Sequence, residues 1–160
     1  MEAFLAEEKG LKTGILPQSV TGSTVSGARI SLKNLDRVAV AITVADAASA
    51  ALTATLRQHD AASSGNSKDL SVDNKYYHKS AAETAFTKVE PSAAAAEYDL
   101  FALVGEDEGL VILEVLAEDL DVNNGFDHFS VNVAGDATAR VVGALYVGEA
   151  DRLPAAELDL

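Results

Sequence analysis

Short stretches in which apolar and polar residues alternate run through most of the chain. In the clearest of them, Phe129, Val131 and Val133 point one way and the polar residues between them point the other. Alternation with a period of two, bounded by turn residues, is typical of half-buried antiparallel strands. The apolar run 140–147 follows after a Gly-Asp break. The two runs together predict a hairpin within an antiparallel sheet.

Further runs of the same kind lie upstream. They cover residues 28–32, 37–45, 52–59, 76–78, 84–89 and 110–116. The run 37–45, RVAVAITVA, is β-branched and nearly all apolar, which predicts a central strand buried on both faces. With the run 52–59 it predicts a second hairpin. Residues 92–97 predict one helical turn after a serine cap, and 98–104 fit either a strand or a loop crossing between sheets.

Seven or eight short strands with almost no helix predict an all-β fold. The simplest arrangement is a two-sheet antiparallel sandwich, jelly-roll-like, and an immunoglobulin-like sandwich is the alternative. Residues 1–22 are rich in Gly, Ser and Thr and predict an extended N-terminal arm, which either covers a surface or is a disordered terminus. Residues 23–150 form the predicted sandwich domain, and 151–160 an acidic tail.

Composition narrows the classes of partner. The 160 residues are 48% hydrophobic, enough for a packed core, but only 6% aromatic. The formal net charge is −13, so we expect neither nucleic acid nor an anionic membrane as a partner. There is no cysteine, hence no disulfide or thiolate chemistry. The first ten residues do not follow the pattern of a signal peptide, and no apolar run approaches the length of a membrane span.

The histidines offer no recognisable catalytic or metal motif. His59, His78 and His128 are far apart in the sequence and lack helical metal-ligand spacing. No nucleophile elbow and no glycine-rich phosphate loop is present. We therefore expect no enzymatic activity, no catalytic residues and no cofactor.

One acidic segment resembles the start of a calcium loop. Asp119 and Asp121 alternate as in such a loop, but Asn124 stands where the loop needs glycine and Ser130 where it needs glutamate. The segment is more simply a polar turn in which Asp and Asn side chains bond the local backbone. We therefore predict no metal site.

Four segments resemble the decoration, or cement, proteins of tailed-bacteriophage heads. They are LRQHDAASSG (56–65), FTKVEP (86–91), LEVLAEDLDVNNGFDHFSVNVA (113–134) and GALYVGEADRLPA (143–155). The shared features are a Gly/Thr/Ser-rich arm, a pair of buried strands, a polar loop, and a D-L-D-V-x-x-G stretch before the last apolar run. The similarity extends over roughly residues 15–155 and includes no single diagnostic motif.

The resemblance implies a non-enzymatic virion structural protein, made in the host cytoplasm, that binds the capsid exterior and stabilises the shell. Its implied partners are the major capsid protein and further copies of itself, as a homotrimer. We expect the arm to supply the capsid or oligomer contacts, or else to pack on its own sandwich. The candidate contact residues are Phe4, Leu5, Leu11, Ile15 and Leu16.

Two other functions remain open at this point. A carbohydrate-binding or adhesin module on a virion surface would use the edge Tyr76-Tyr77-His78 as its platform. A hydrolase would use the Asp- and Glu-rich loops, which requires two carboxylates facing each other across a cleft.

Overall fold

The fold is seen in a computed structural model that describes residues 9–45 and 50–149. These ranges contain twelve β-strands, one short α-helix and two 3-10 helical turns, Ala117–Asp119 and Val122–Asn124. The strands are β1 (Gly10–Val20), β2 (Thr24–Ser26), β3 (Ile30–Ser31), β4 (Arg37–Ala45), β5 (Leu52–His59), β6 (Ser67–Asp69), β7 (Tyr76–Ser80), β8 (Thr87–Val89), β9 (Glu97–Asp99), β10 (Gly109–Leu116), β11 (His128–Gly135) and β12 (Arg140–Glu149), and the helix is α1 (Leu100–Val104). No helix in the described ranges is long and apolar enough to cross a membrane.

The strands form two sheets. The first sheet has the order β1-β12-β4-β10-β7-β8, and the second has β2-β11-β5-β6, with β3 pairing β11 and β9 pairing β5. Every pairing between these strands is antiparallel. The predicted two-sheet antiparallel sandwich is therefore confirmed.

The connections are those of a jelly roll. The strands β1, β12, β4 and β10 are neighbours in one sheet and β2, β11, β5 and β6 in the other, so the chain changes sheet at most of its connections. The two predicted hairpins are wrong for this reason. β4 and β5 lie in opposite sheets, as do β11 and β12.

The core lies between the two inner faces. From the first sheet, Val38, Val40 and Ile42 are fully buried, and from the second, Phe129 and Val131. Each set alternates with outward-pointing neighbours, as the sequence pattern predicts. Because the inward residues are β-branched or aromatic, they fill the space between the sheets while keeping the extended backbone.

Residues 10–20, which the sequence analysis placed in the arm, are an edge strand of the first sheet. β1 pairs with β12 from Gly10↔Gly148 to Val20↔Arg140, with two irregularities in the register around Ile15. The predicted boundary at residue 22 falls in the connection between β1 and β2. Residues 1–8, 46–49 and the predicted tail lie outside the described residues.

The predicted helical turn at 92–97 is wrong. Ala95 makes an isolated antiparallel bridge to Val72 instead, and Glu97 opens strand β9. The ambiguous stretch 98–104 divides between the end of β9 and helix α1, whose first turn is capped by the Asp99 carboxylate accepting from the amide of Ala102 at 3.0 Å.

Candidate functional site

The two outer faces of the sandwich differ sharply in chemistry. The second sheet is polar outside, which is usual for a half-solvated sheet. Its outward residues on β5 and β11 are Thr53, Thr55, Arg57, His59, His128, Ser130 and Asn132. The first sheet is apolar outside over its central strands. We call its outward side the apolar face and define it by Leu11, Ala39, Ala41, Leu110, Ile112, Leu145, Val147 and Tyr77.

The strand register aligns the apolar face into continuous rows. Leu145 of β12 lies opposite Ala41 of β4, which lies opposite Ile112 of β10, which lies opposite Tyr77 of β7. Leu145 is 40% exposed and Leu11 43% exposed. Directly opposed residues on one face are in side-chain contact range. The central row is therefore a continuous apolar strip, while the rows beside it end in Glu114 and in Lys79.

The prediction that β4 is buried on both faces is wrong for the single chain. Its inward residues are buried, but outward Ala39 and Ala41 are partly exposed and Thr43 is exposed. The strand nevertheless has the composition of a doubly buried strand. The outward side of β4 is therefore less polar than that of a strand in a solvated sheet.

A hollow interrupts the apolar face near β1. It has a volume of about 240 Å³ and is lined by Thr13, Ile15, Pro17, Ala41, Thr43, Gly143, Ala144 and Leu145. The hollow exists because Gly143 has no side chain. A Cβ there would approach Thr43 Oγ1 to 3.1 Å and Pro17 Cγ to 3.3 Å.

Charged side chains border the apolar face on two sides. Lys79 and Lys88 point outward from β7 and β8. The other group lies at the Arg37 end. Arg37 contacts Glu114 at 3.4 Å and also pairs with Glu149, which pairs in turn with Lys9. The two cations and two carboxylates balance. The row from Leu145 to Tyr77 at the centre of the face is built from uncharged side chains.

The candidate contact residues divide into three groups. Leu11 lies on the apolar face, and Leu16 is 70% exposed beside the hollow. Ile15 is 2% exposed and packs in the core of its own sandwich, the alternative that the sequence left open. Phe4 and Leu5 lie outside the described residues.

His59 and Ser130 are the two side chains whose contact most resembles catalytic chemistry. His59 Nε2 lies 2.8 Å from Ser130 Oγ, and its Nδ1 lies 2.6 Å from Ser67 Oγ. Ser130 is 1% exposed, so no substrate reaches its hydroxyl in this state. Burial, and then the charges of Arg29 and Arg57, lower the pKa of His59 to about 4. Ser67, a hydroxyl rather than a carboxylate, orients the ring. The group is a buried hydrogen-bond network.

The acidic turn has the local bonds expected of a polar turn. Asp119 Oδ2 accepts from the amide of Leu116 at 2.8 Å and from Asn74 at 2.6 Å. Asp121 accepts from Asn124 and pairs with Lys68. The carboxylate oxygens that a cation would need are thus bonded within the chain. Within residues 9–45 and 50–149 no group of three or more His, Asp or Glu side chains is placed to hold a metal.

The Tyr76-Tyr77-His78 edge does not form a stacking platform. Successive strand residues point to opposite faces. Tyr76 packs edge-on against Tyr98, with ring centroids 5.3 Å apart, on the core side. Tyr77 alone of the two tyrosines lies on the apolar face.

Sequence reasoning missed the apolar face, although the signal was present. Outward positions of β10 and β12 are filled by Leu110, Ile112, Leu145 and Val147, where a solvated sheet would have polar residues. The pattern alone assigns these residues to a buried core, because the face each one occupies depends on which strands are neighbours.

Comparison with known proteins adds little to the geometry. No family model matches the chain, and no curated protein matches it. Among solved structures, one chain comes from work on Bacillus endospore appendages, described as a novel family of disulfide-linked pili. The similarity covers 94% of this chain and 95% of that one, at 10% identity and a TM-score of 0.38. A similarity of this size carries no argument about function.

Proposed function

We propose that the protein is a non-enzymatic structural protein of a tailed phage, held on the outside of the capsid, where it stabilises the shell. The observation that carries the proposal is the apolar face: one side of the sandwich has the surface of a protein interface. Sandwiches that act alone in water are polar on both outer faces.

The size of the apolar face supports an interface. Five strands spaced about 4.8 Å apart and about 25 Å long make a sheet face of roughly 500–600 Å², which includes charged margins as well as the apolar residues. Exposed apolar patches of more than a few hundred Å² mark binding surfaces in soluble proteins. Only the exposed apolar part of this area gains about 25 cal/mol per Å² when it is covered, and the costs of association oppose that gain.

We propose a phage capsid as the binding partner because four segments of the chain resemble head decoration proteins. The jelly-roll connectivity agrees with it, since capsid proteins use this architecture, although other functions use it too. The geometry adds a surface that is poorly suited to a freely diffusing monomer. The capsid exterior and the major capsid protein as a partner remain proposals.

Adsorption to a glycan is the weaker candidate. The aromatic edge that would have served it is divided between the core and the apolar face. Along its row Tyr77 is followed by Ile112, Ala41 and Leu145, so polar side chains stand only at the two ends, where the row finishes in Lys88 and Thr13. A sugar stacked on Tyr77 would meet Lys88 on one side of the ring and only the apolar side chain of Ile112 on the other.

The proposal is tested with virions of the source phage. Mass spectrometry of purified particles should find the protein in many copies, and the purified protein should cosediment with shells that lack it. We expect Leu145→Asp to weaken cosedimentation by at least about tenfold, because a carboxylate in a buried apolar contact is left unpaired. Thr55→Asp adds the same charge to the polar second sheet and should have little effect.

Absence of the protein from virions, together with no binding to depleted shells, would refute the proposed function. Equal binding by Leu145→Asp and Thr55→Asp would show that the apolar face is not needed for attachment.

A further inference from the structure

We propose that the apolar face is covered by a second copy of this chain, packed about a two-fold axis so that Leu16 of each copy fills the hollow of the other. This inference rests on the proposed function in that it names the partner of the same face. It differs from the homotrimer that the resemblance implies.

No side chain of the described residues fills the hollow. Its volume is about 240 Å³. The exposed apolar side chains that line it are Pro17 and Leu145, whereas Ile15 and Ala144 belong to the buried core. Such a space accepts one branched aliphatic side chain and offers water few hydrogen bonds.

The side chain that we expect to fill the hollow of the other copy, Leu16, lies at the rim of the hollow in its own chain. Leu16 lies between two lining residues, Ile15 and Pro17, and is 70% exposed. The register of β1 is irregular between Ile15 and Gln18, the stretch that contains Leu16. A two-fold axis makes contacts reciprocal, so a projection adjacent to a hollow inserts twice per dimer.

The charge distribution permits this contact although the chain carries −13. The charged residues that point outward from the first sheet's strands are Arg37, Lys79, Lys88, Glu114 and Glu149, three cations and two carboxylates. The surplus of acid therefore lies elsewhere. At physiological salt, charges more than about 8 Å from the contact are largely screened.

The area that would be buried and the irregular edge at β1 favour a dimer in which the two apolar faces pack against each other. Two faces of roughly 500–600 Å² bury about 1,000–1,200 Å² in total, the low end of specific interfaces. Addition of a strand to the β1 edge is disfavoured because Pro17 and the irregular register break its row of backbone donors. Two apolar sheet faces stack at about 10 Å with interdigitating side chains.

Two complementary variants test the contact. Leu16→Ala removes the projection, and Thr43→Phe fills the hollow from its exposed rim. By sedimentation equilibrium we expect the wild type to be a dimer at micromolar concentration. Each variant should weaken dimerisation by about a hundredfold, since two contacts are lost per dimer. Thermal unfolding shows that each variant is folded, and Thr55→Phe on the second sheet is the matched control.

Mixing the two variants gives the sharpest result. In a two-fold heterodimer, Leu16 of the Thr43→Phe chain enters the open hollow of the Leu16→Ala chain, while the filled hollow faces only the truncated side chain. Native mass spectrometry should therefore show heterodimers in excess of both homodimers. A three-fold ring cannot alternate two variants without an unmatched contact.

A wild type that stays monomeric at tens of micromolar, a trimer, or variants that associate like the wild type would each overturn the inference. A monomer that still binds depleted shells would leave the proposed function standing. A dimer that is absent from virions would refute the function and leave the dimer contact intact.

Discussion

The imidazole of His59 is enclosed at the outer surface of the second sheet by hydroxyl groups and a loop. Arg29 holds that loop by donating to the carbonyls of Ala61 at 2.9 Å and Ser64 at 2.5 Å. Both ring nitrogens of His59 contact serine hydroxyls, while two guanidinium groups oppose a positive charge on the ring. The neutral imidazole is thus part of the folded state.

We expect His59 to make the protein less stable in mild acid. Its pKa is lowered from 6.5 to about 4, so between these values the unfolded chain binds a proton that the folded chain does not. Stability should fall as pH drops from 6.5 toward 4, by about 1–3 kcal/mol, the lower end if water screens the guanidinium charges.

The measurement is urea unfolding of wild type and His59→Gln at several pH values. The variant should lose less stability across this window, although the carboxylates add a slope common to both proteins. An NMR titration that gives His59 a pKa near 6.5 would contradict the account.

Neighbouring residues of β1 show how far sequence could predict contacts at this scale. Ile15 and Leu16 are similarly hydrophobic, yet one is buried in the core and the other is 70% exposed. The difference is set by the irregular pairing with β12, which places Ile15 opposite Ala144. The glycine-rich sequence of this segment has no periodicity from which that register could be predicted.

Tyr146 joins three strands of the sandwich. Its hydroxyl accepts from the amide of Val131 at 3.0 Å across the core, and its ring packs edge-on against Phe129. A Cβ at Gly14 would lie 2.5 Å from the ring, so glycine is needed in β1 at that point. One buried side chain thus positions β1 and β12 of the first sheet against β11 of the second.

We expect Tyr146→Phe to lower the free energy of unfolding by about 1–3 kcal/mol, because the amide of Val131 is left buried and unpaired. Tyr77→Phe removes the same hydroxyl from the apolar face and should cost less than about 0.5 kcal/mol. Chemical denaturation of both variants measures the difference. Equal losses would show that the Tyr146 hydroxyl makes no net contribution.

The central strands were predictable from the sequence, but the edge strand β1, the short strands β6 and β9 and the pairing partners were not. The bounds of β4 and β5 coincide with the predicted runs 37–45 and 52–59, because alternation reports how a strand is buried. The hairpin assignments failed because the same alternation arises whether the next strand joins the same sheet or the opposite one. In a jelly roll the next strand repeatedly joins the opposite sheet.

At the level of the whole molecule, the sandwich is asymmetric. The second sheet is polar outside and carries the His59 network, while the first sheet presents the apolar face with its hollow. The class of fold followed from the sequence, but the binding face did not, since it depends on which residues the register brings side by side. The proposed function requires that face to be covered.

Hydroxyl-radical footprinting tests this central claim most directly, with dilute free protein compared with protein in its native particle. The account predicts that oxidation of Leu11, Leu145 and Tyr77 falls severalfold on assembly, while oxidation of Val122, exposed at the end of the sandwich, stays unchanged. Equal oxidation of the apolar face in the two states would contradict the account.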